Sequence, residues 1–263
     1  MDLVAVVTGA SSGIGEETAR RLAREPGARL VLVARREERL RALAGSLPAA
    51  TWLALDVTAA DAPARIAAHV REHHGRLTLL VNNAGASWRA TFADGGYENV
   101  RRTMELNFDA QVRVTEALLP LLRESAPSAI VNVASTAGRV ARAGAGAYSA
   151  SKFALAGWSD ALHAEERPHG VHVGLVLPGF IATEGFPATE LRARRRTRWM
   201  VSDVETAAEA ILDAGLRGRA ERYVPRPYGL AAAARILAPR LLRRAQSTGA
   251  AAALLTKTGA DGH

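Results

Sequence analysis

Tyr148 and Lys152 stand four positions apart in the stretch Tyr148-Ser149-Ala150-Ser151-Lys152. On a helix that spacing puts both side chains on one face. A phenol beside a fixed ammonium makes an acid–base group suited to neutral pH. An unperturbed tyrosine titrates near about 10, and moving it toward 7 takes roughly 4 kcal/mol of charge stabilisation, much of which a nearby cation in a partly dry site can supply. The chain contains 2 lysines, Lys152 and Lys257, against 32 arginines. Where a generic positive charge is enough it carries arginine; at 152 it carries the compact ammonium with its three rotatable donors. A Tyr-x-x-x-Lys spacing is also an ordinary helix face, so its meaning depends on the elements around it.

Those elements alternate. Leu3 to Thr8 is an apolar, β-branched run that predicts a buried strand. It leads into Thr8-Gly9-Ala10-Ser11-Ser12-Gly13-Ile14-Gly15 and then a helical stretch, Glu16 to Arg24. In a strand–turn–helix context, glycines let the backbone approach a pyrophosphate seated on the amides of the helix N-terminus. A second strand is predicted at Arg29 to Ala34. Dinucleotide sites place an acid about 20 residues after the glycines to bind the adenosine ribose, but here Ala34-Arg35-Arg36 follows. Two guanidiniums suit a 2′-phosphate, so NADP(H) is expected over NAD(H).

Further strands are predicted at Thr51 to Leu55, ending at Asp56-Val57, and at Leu77 to Val81, ending at Asn82-Asn83-Ala84-Gly85. Others are expected at Ala129 to Ala134, ending at Ser135; at Val171 to Leu177, ending at Pro178-Gly179; and at Arg222 to Pro225. Helices are expected at Asp61 to Gly75 and Val204 to Leu216. A long amphipathic segment, about Tyr97 to Arg123, carries Asn107, a poor helix former whose place there points to a kink or a polar task. The special residues cluster at the C-terminal ends of the strands, where open parallel sheets bind ligands.

At 263 residues with 48% hydrophobic content, the chain has the size and composition of one soluble domain. It has no cysteine, so disulfides and cysteine-based metal sites or nucleophiles are excluded. No histidine cluster has metal-ligand spacing, and no metal is expected. Met1-Asp2-Leu3-Val4 shows no basic region before an apolar run, and no stretch has the length of a membrane span. A cytoplasmic location is therefore expected. The net charge of +8 comes without a recognition motif, so it reads as compositional arginine bias rather than nucleic-acid binding.

Taken in order, Thr8-Gly9-x-x-x-Gly13-x-Gly15, Asp56-Val57, Asn83-Ala84-Gly85, Asn107, Ser135, Tyr148-x-x-x-Lys152 and Pro178-Gly179-x-x-x-Thr183 resemble the short-chain dehydrogenase/reductase family over about residues 3 to 225. The resemblance is to the NADP(H)-preferring carbonyl reductase type, with a basic residue just after the second strand. It implies an α/β fold: a single Rossmann-type domain, residues 1–226, with a seven-stranded parallel sheet flanked by helices. A C-terminal helical extension, 227–263, follows, its end expected to be disordered.

The resemblance also implies residue roles. Tyr148 is the general acid in carbonyl reduction and the base in reverse. Lys152 lowers its pKa and holds the nicotinamide ribose. Ser135 donates a hydrogen bond to the substrate oxygen, and Asn107 holds a water that connects Lys152 to solvent. Gly9, Ser11, Ser12, Gly13, Ile14 and Gly15 meet the phosphates and ribose. Arg35 and Arg36 meet the 2′-phosphate, Asp56 and Val57 the adenine, and Asn83, Ala84 and Gly85 the adenosine side. Pro178, Gly179, Ile181 and Thr183 hold the nicotinamide. Oligomerisation as a homodimer or homotetramer is implied through the two helices that carry Asn107 and Tyr148.

Residues 183–202 correspond to the variable substrate lid. From position alone, Phe186, Trp199 and Met200 are candidates for an apolar roof, and Trp88 and Phe92 for lining the same pocket. Five arginines between Arg192 and Arg198 read either as a solvated face or as a surface for an acidic substrate, a carrier protein or a phospholipid. Gly229 to Arg244 reads as a basic amphipathic helix that docks on a membrane, covers the pocket, or packs on its own domain or a partner. The leading function is oxidoreduction of a hydrophobic ketone or alcohol. The alternatives are 3-oxoacyl-carrier reduction and, in another class, a non-catalytic NADP(H)-binding regulator.

Overall fold

The computed structural model describes residues 2–184, 188–195, 197–240 and 243–244. The elements in chain order are β1 (Val4–Thr8), α1 (Gly13–Leu22), β2 (Arg29–Ala34), α2 (Glu37–Gly45), β3 (Ala50–Ala54), α3 (Ala62–His74), β4 (Leu79–Asn82), α4 (Phe92–Met104), α5 (Ala110–Glu124), β5 (Ser128–Val133), α6 (Gly146–Glu166), β6 (Val171–Pro178), β7 (Phe180–Ile181), α7 (Thr189–Ala193), β8 (Val201–Ser202), α8 (Val204–Gly215), β9 (Glu221–Val224) and α9 (Tyr228–Leu237).

Seven of the strands form one parallel sheet in the order β3-β2-β1-β4-β5-β6-β9. Its inner strands are buried on both faces, and alternate residues feed two cores. Ala5, Val7, Leu30 and Leu32 point to one side and pack with Leu22, Ile211 and Leu212 of α1 and α8. Val4, Val6, Val31 and Val33 point to the other side, where Ile66 and Val70 of α3 and Val114 and Leu118 of α5 meet them. This is the period-2 rule of a strand in a sheet with helices on both faces. Each fully buried Leu, Ile or Val contributes about 1.5–3 kcal/mol.

After β3 the chain crosses over β1 to reach β4. The direction of winding therefore reverses between β1 and β4, and a crevice opens at their C-terminal ends. The glycine turn after β1 and Asn83 after β4 face each other there.

Three features depart from the simple alternation. The segment expected as one amphipathic helix is divided into α4 and α5 by a π-helical turn, Glu105–Asp109, centred on Asn107. The poor helix former therefore marks a real break in the ladder. A second, two-stranded sheet pairs Phe180–Ile181 with Val201–Ser202 and ties the chain after β6 to the end of the lid. Two-residue strands carry no periodicity to read. Finally, α9 begins at Tyr228 and stops at Leu237, just before Pro239. It buries Ala232 and leaves Leu230, Ile236 and Leu237 exposed. Among the described residues no helix is long and apolar enough to cross a membrane.

Candidate active site

The glycine turn is closed by side chains from β4. Asn83 donates through Nδ2 to Thr8 O at 2.9 Å and Gly9 O at 3.5 Å, and its backbone amide donates to Thr8 Oγ1 at 3.0 Å. A Cβ on Gly15 would lie 2.3 Å from Gly9 O, so only glycine lets the helix start this close to the turn. Asn83, Gly9 and Gly15 thus hold the shape of the crevice. Ser12, the N-cap of α1, makes no side-chain cap, which leaves the first amides of the helix to an external anion. Gly13 faces Thr183 across the crevice: a Cβ there would lie 3.2 Å from Thr183 Cγ2.

The two arginines after β2 have different surroundings. Arg36 folds back onto the glycine turn and donates to Ser11 Oγ at 3.0 and 3.1 Å and to Ser12 Oγ at 2.5 Å. Arg35 is largely exposed, with Nη1 3.9 Å from Asp56 Oδ2. Partial burial works against the Asp56 carboxylate, but the Thr58 amide and hydroxyl, at 2.9 and 2.7 Å, hold its pKa below the usual value with help from Arg35. Val57 beside it is buried. Sequence reading put the 2′-phosphate on Arg35 first and Arg36 second; in the fold Arg36 is the one on the glycine turn.

Asn107 is fully buried in its π-helical turn. Its Oδ1 accepts from Ala86 N at 2.9 Å, and its Nδ2 donates to Ala86 O at 2.9 Å and Ser151 Oγ at 3.1 Å. The amide therefore fastens the strand-end loop Ala84–Gly85–Ala86 to α6. Gln111 adds a bond to Ala84 O at 2.8 Å.

Tyr148 lies in the first turn of α6 and Lys152 in the next. Lys152 Nζ sits 5.9 Å from the centroid of the Tyr148 ring and donates to Val133 O at 2.9 Å. That carbonyl, at the end of β5, is its one hydrogen-bond partner among the described residues, which leaves two N–H donors. Burial pushes the Lys152 ammonium down to about 7. Burial also raises the Tyr148 phenol above its ordinary value, while the Ser135 hydroxyl beside it and the Arg142 guanidinium pull the other way. Tyr148 is thus a neutral phenol at neutral pH, with a lysine near half-charge one turn away. Ser135 accepts from Ala137 N at 3.1 Å and donates to Pro178 O at 3.2 Å. That second bond is long for a hydroxyl donor, so little opposes turning the O–H toward a closer acceptor.

A family model described as short chain dehydrogenase matches residues 3–193. The chain belongs to the short-chain dehydrogenases. This short-chain dehydrogenase is 37% identical over 188 residues to mouse dehydrogenase/reductase SDR family member 7B, a match covering 68% of the chain and 58% of the relative. The zebrafish protein of the same name is 33% identical over 192 residues, covering 69% of the chain and 62% of the relative. The chain thus spans about three fifths of the length of these vertebrate relatives. An uncharacterized oxidoreductase of Staphylococcus epidermidis is 34% identical over 194 residues, 73% of this chain and 84% of that one. Among solved structures, a short chain dehydrogenase from Burkholderia cenocepacia in complex with NADP superposes with a TM-score of 0.79 at 30% identity, covering 94% of this chain and 98% of that one.

The substrate side of this short-chain dehydrogenase was the least legible in sequence. Trp88 is half-buried and stacks under Arg102, whose Cζ lies 4.9 Å from its ring centroid. Phe92, at the start of α4, is 76% exposed. Phe186 lies outside the described residues. Trp199 and Met200 meet a residue not singled out in the sequence, Tyr228 of α9. Its ring lies 5.9 Å from Trp199, and its hydroxyl donates to Met200 O at 3.2 Å. A Cβ on Gly179 would lie 2.4 Å from Tyr228 Cε2. Ile181 is buried beneath this layer. The N-terminal end of α9 therefore packs over Pro178-Gly179. Of the arginine run, Arg192 pairs with Asp203, while Arg194, Arg195 and Arg198 are exposed.

Proposed function

We propose that this short-chain dehydrogenase is an NADP(H)-dependent oxidoreductase that interconverts a ketone and a secondary alcohol, with Tyr148 as the acid–base group. The observation that carries the reading is the trio at the end of β5 and the start of α6, with Ser135 and Lys152 buried and Tyr148 partly buried. A neutral Tyr148 phenol is flanked by Ser135 and by Lys152, whose ammonium is pushed down to about 7 by burial and which has no carboxylate partner among the described residues.

An anionic dinucleotide fits what the residues offer. The uncapped α1 N-terminus suits a pyrophosphate, and the two remaining Lys152 donors suit ribose hydroxyls. Arg36, whose guanidinium contacts hydroxyls rather than an acid, suits a 2′-phosphate. The nicotinamide supplies or accepts the hydride when bound. In the reducing direction Tyr148 gives its proton to the carbonyl oxygen as negative charge grows there. Ser135 turns its O–H from Pro178 O to the same oxygen and stabilises that charge. Lys152, near its own pKa, is poised to pass a proton back toward Tyr148. The Trp199–Tyr228 ring pair beside Pro178-Gly179 supports an apolar body on the substrate.

The test is NADPH oxidation against a panel of aryl and alkyl ketones with wild type, Tyr148→Phe and Ser135→Ala. Loss of roughly 100-fold or more in kcat for Tyr148→Phe, with NADPH binding retained, is expected for an acid–base residue. NADPH binding without turnover in wild type would instead favour a cofactor-binding regulator.

Self-association is proposed on the outer face of α5 and α6, where Leu119, Pro120, Trp158 and Leu162 line an open apolar groove. Sedimentation velocity of Leu119→Glu against wild type tests it, an unchanged assembly dismissing that face. Exposed Leu230, Ile236 and Leu237 next to Arg235 and Arg240 support contact between α9 and an anionic lipid surface. Flotation with phosphatidylserine vesicles that is unaltered by Leu230→Glu/Leu237→Glu would dismiss it.

A further inference from the structure

The segment between Ser135 and Tyr148 carries two guanidiniums with different surroundings. Arg139 is paired with Glu221 at 3.0 Å and with Asp160 at 3.7 Å. Arg142 has no carboxylate within ion-pair distance among the described residues, although it is half-buried. Its Cζ lies 4.9 Å over the ring of Phe180, the residue that follows Pro178-Gly179. The charge is felt at two phenols, Tyr148 and Tyr228. The positive charge of Arg89, on the loop after β4, is also felt at Arg142.

A guanidinium withdrawn from water without an opposite charge is costly, and proteins keep one where a partner arrives with the ligand. Burial already holds the Arg142 pKa below the ordinary arginine value, and the second cation adds to that strain. The aromatic face of Phe180 offsets only part of the cost. The planar fork is built to grip a planar oxyanion with two parallel bonds.

We propose that Arg142 is a specificity-determining residue that pairs with a carboxylate on the substrate, so that the preferred substrates are oxo acids with an apolar body and the corresponding hydroxy acids. This rests on the reductase reading above and narrows it. The carboxylate docks on Arg142 and the carbonyl oxygen faces Tyr148 and Ser135, while the apolar body lies against Phe180 and Tyr228.

The experiment uses the NADPH-loaded full chain with two probes sharing one ketone, phenylglyoxylate and its methyl ester. Wild type, Arg142→Lys and Arg142→Gln are compared in kcat/KM, with the pH profile of ester turnover measured for each. The expected result is a wild-type preference for the acid that falls by roughly 10- to 100-fold in Arg142→Gln, the worth of a charge-assisted hydrogen bond. Arg142→Lys should recover part of it, and the pH profile should stay in place. Equal losses on acid and ester with a shifted pH profile would mean that Arg142 acts on Tyr148 instead, and would overturn the proposal. Turnover of the ester with no wild-type preference for the acid would overturn it too, and leave the reductase reading standing. If neither probe is reduced, thermal melts of the NADPH-loaded protein with benzoate decide. Stabilisation of wild type but not Arg142→Gln supports the anion site, and no stabilisation overturns it.

Discussion

Tyr228 lies so close to Gly179 that a methyl group there would sit 2.4 Å from Tyr228 Cε2. The first residue of α9 is thereby locked onto the turn that ends β6, with its hydroxyl on the Met200 carbonyl. Burial raises that phenol to about 12, so it remains a neutral donor throughout the physiological range.

Gly179→Ala should therefore displace Tyr228 and lower stability by about 1–3 kcal/mol, the usual effect of overpacking. In a Tyr228→Ala background the same alanine should be far better tolerated. A double-mutant cycle from urea unfolding would show a coupling above about 0.5 kcal/mol. Additive effects would mean that the two residues do not share this contact.

Lys152 makes a second prediction, in which the sign matters. Its pKa is lowered from 10.5 when unfolded to about 7 when folded. Between these values the unfolded chain binds the extra proton, so this residue's contribution to stability rises with pH across that window. Below pH 7 the full burden of a buried ammonium is present. Lys152→Met should thus be more stable than wild type at pH 6 by roughly a few kcal/mol, and the gain should shrink toward pH 10. Chemical denaturation of both proteins at several pH values measures the difference directly; a gap that widens with pH would contradict the assignment.

Arg36, not Arg35, should dominate recognition of a 2′-phosphate. Arg36→Ala is expected to weaken NADPH binding by roughly 10- to 100-fold, in line with loss of charged hydrogen bonds, and to leave NADH binding nearly unchanged. Arg35→Ala should have a smaller effect. Titration by nicotinamide fluorescence reads both. Equal weakening of NADPH and NADH would place Arg36 on a shared part of the cofactor.

Asn107→Leu keeps the branched four-atom outline of the side chain, with bulkier methyl ends, and removes its three hydrogen bonds. It leaves the Ala86 amide and carbonyl without the partners they have now. Orphaned buried groups of this kind cost about 1–3 kcal/mol each. A lowered thermal midpoint, together with faster amide exchange at Ala86, is the expected outcome.

Much of this architecture can be read directly from residue order. β2 has the same limits in sequence and structure, Arg29 to Ala34, because an apolar β-branched run between Gly27 and the polar Arg35 leaves little alternative. Asn107 could be recognised as out of place in a helix, and the chain does bulge there into a π turn. The residues bordering the substrate were not legible in the same way. Phe92, a pocket-lining candidate in sequence, is largely exposed, whereas Arg142 and Tyr228 belong to no motif that singles them out. The Ser11–Ser12–Arg36 cluster was legible as separate motifs but not as one contact, since 24 positions separate Ser12 from Arg36.

The sequence alone determined the alternating strands and helices, the glycine turn, and the one-turn spacing of Tyr148 and Lys152. These depend on local periodicity and backbone preference, which neighbouring residues set. Only the tertiary structure decided the electrostatics: which arginine is paired, where the Lys152 ammonium rests, and which phenol packs on Gly179. Arg139 and Arg142 are three positions apart, yet one meets Glu221 from the last strand and the other lies over the Phe180 ring with no ion pair among the described residues. Charge and burial depend on groups distant in the chain, and those meet only when the sheet brings its strand ends together.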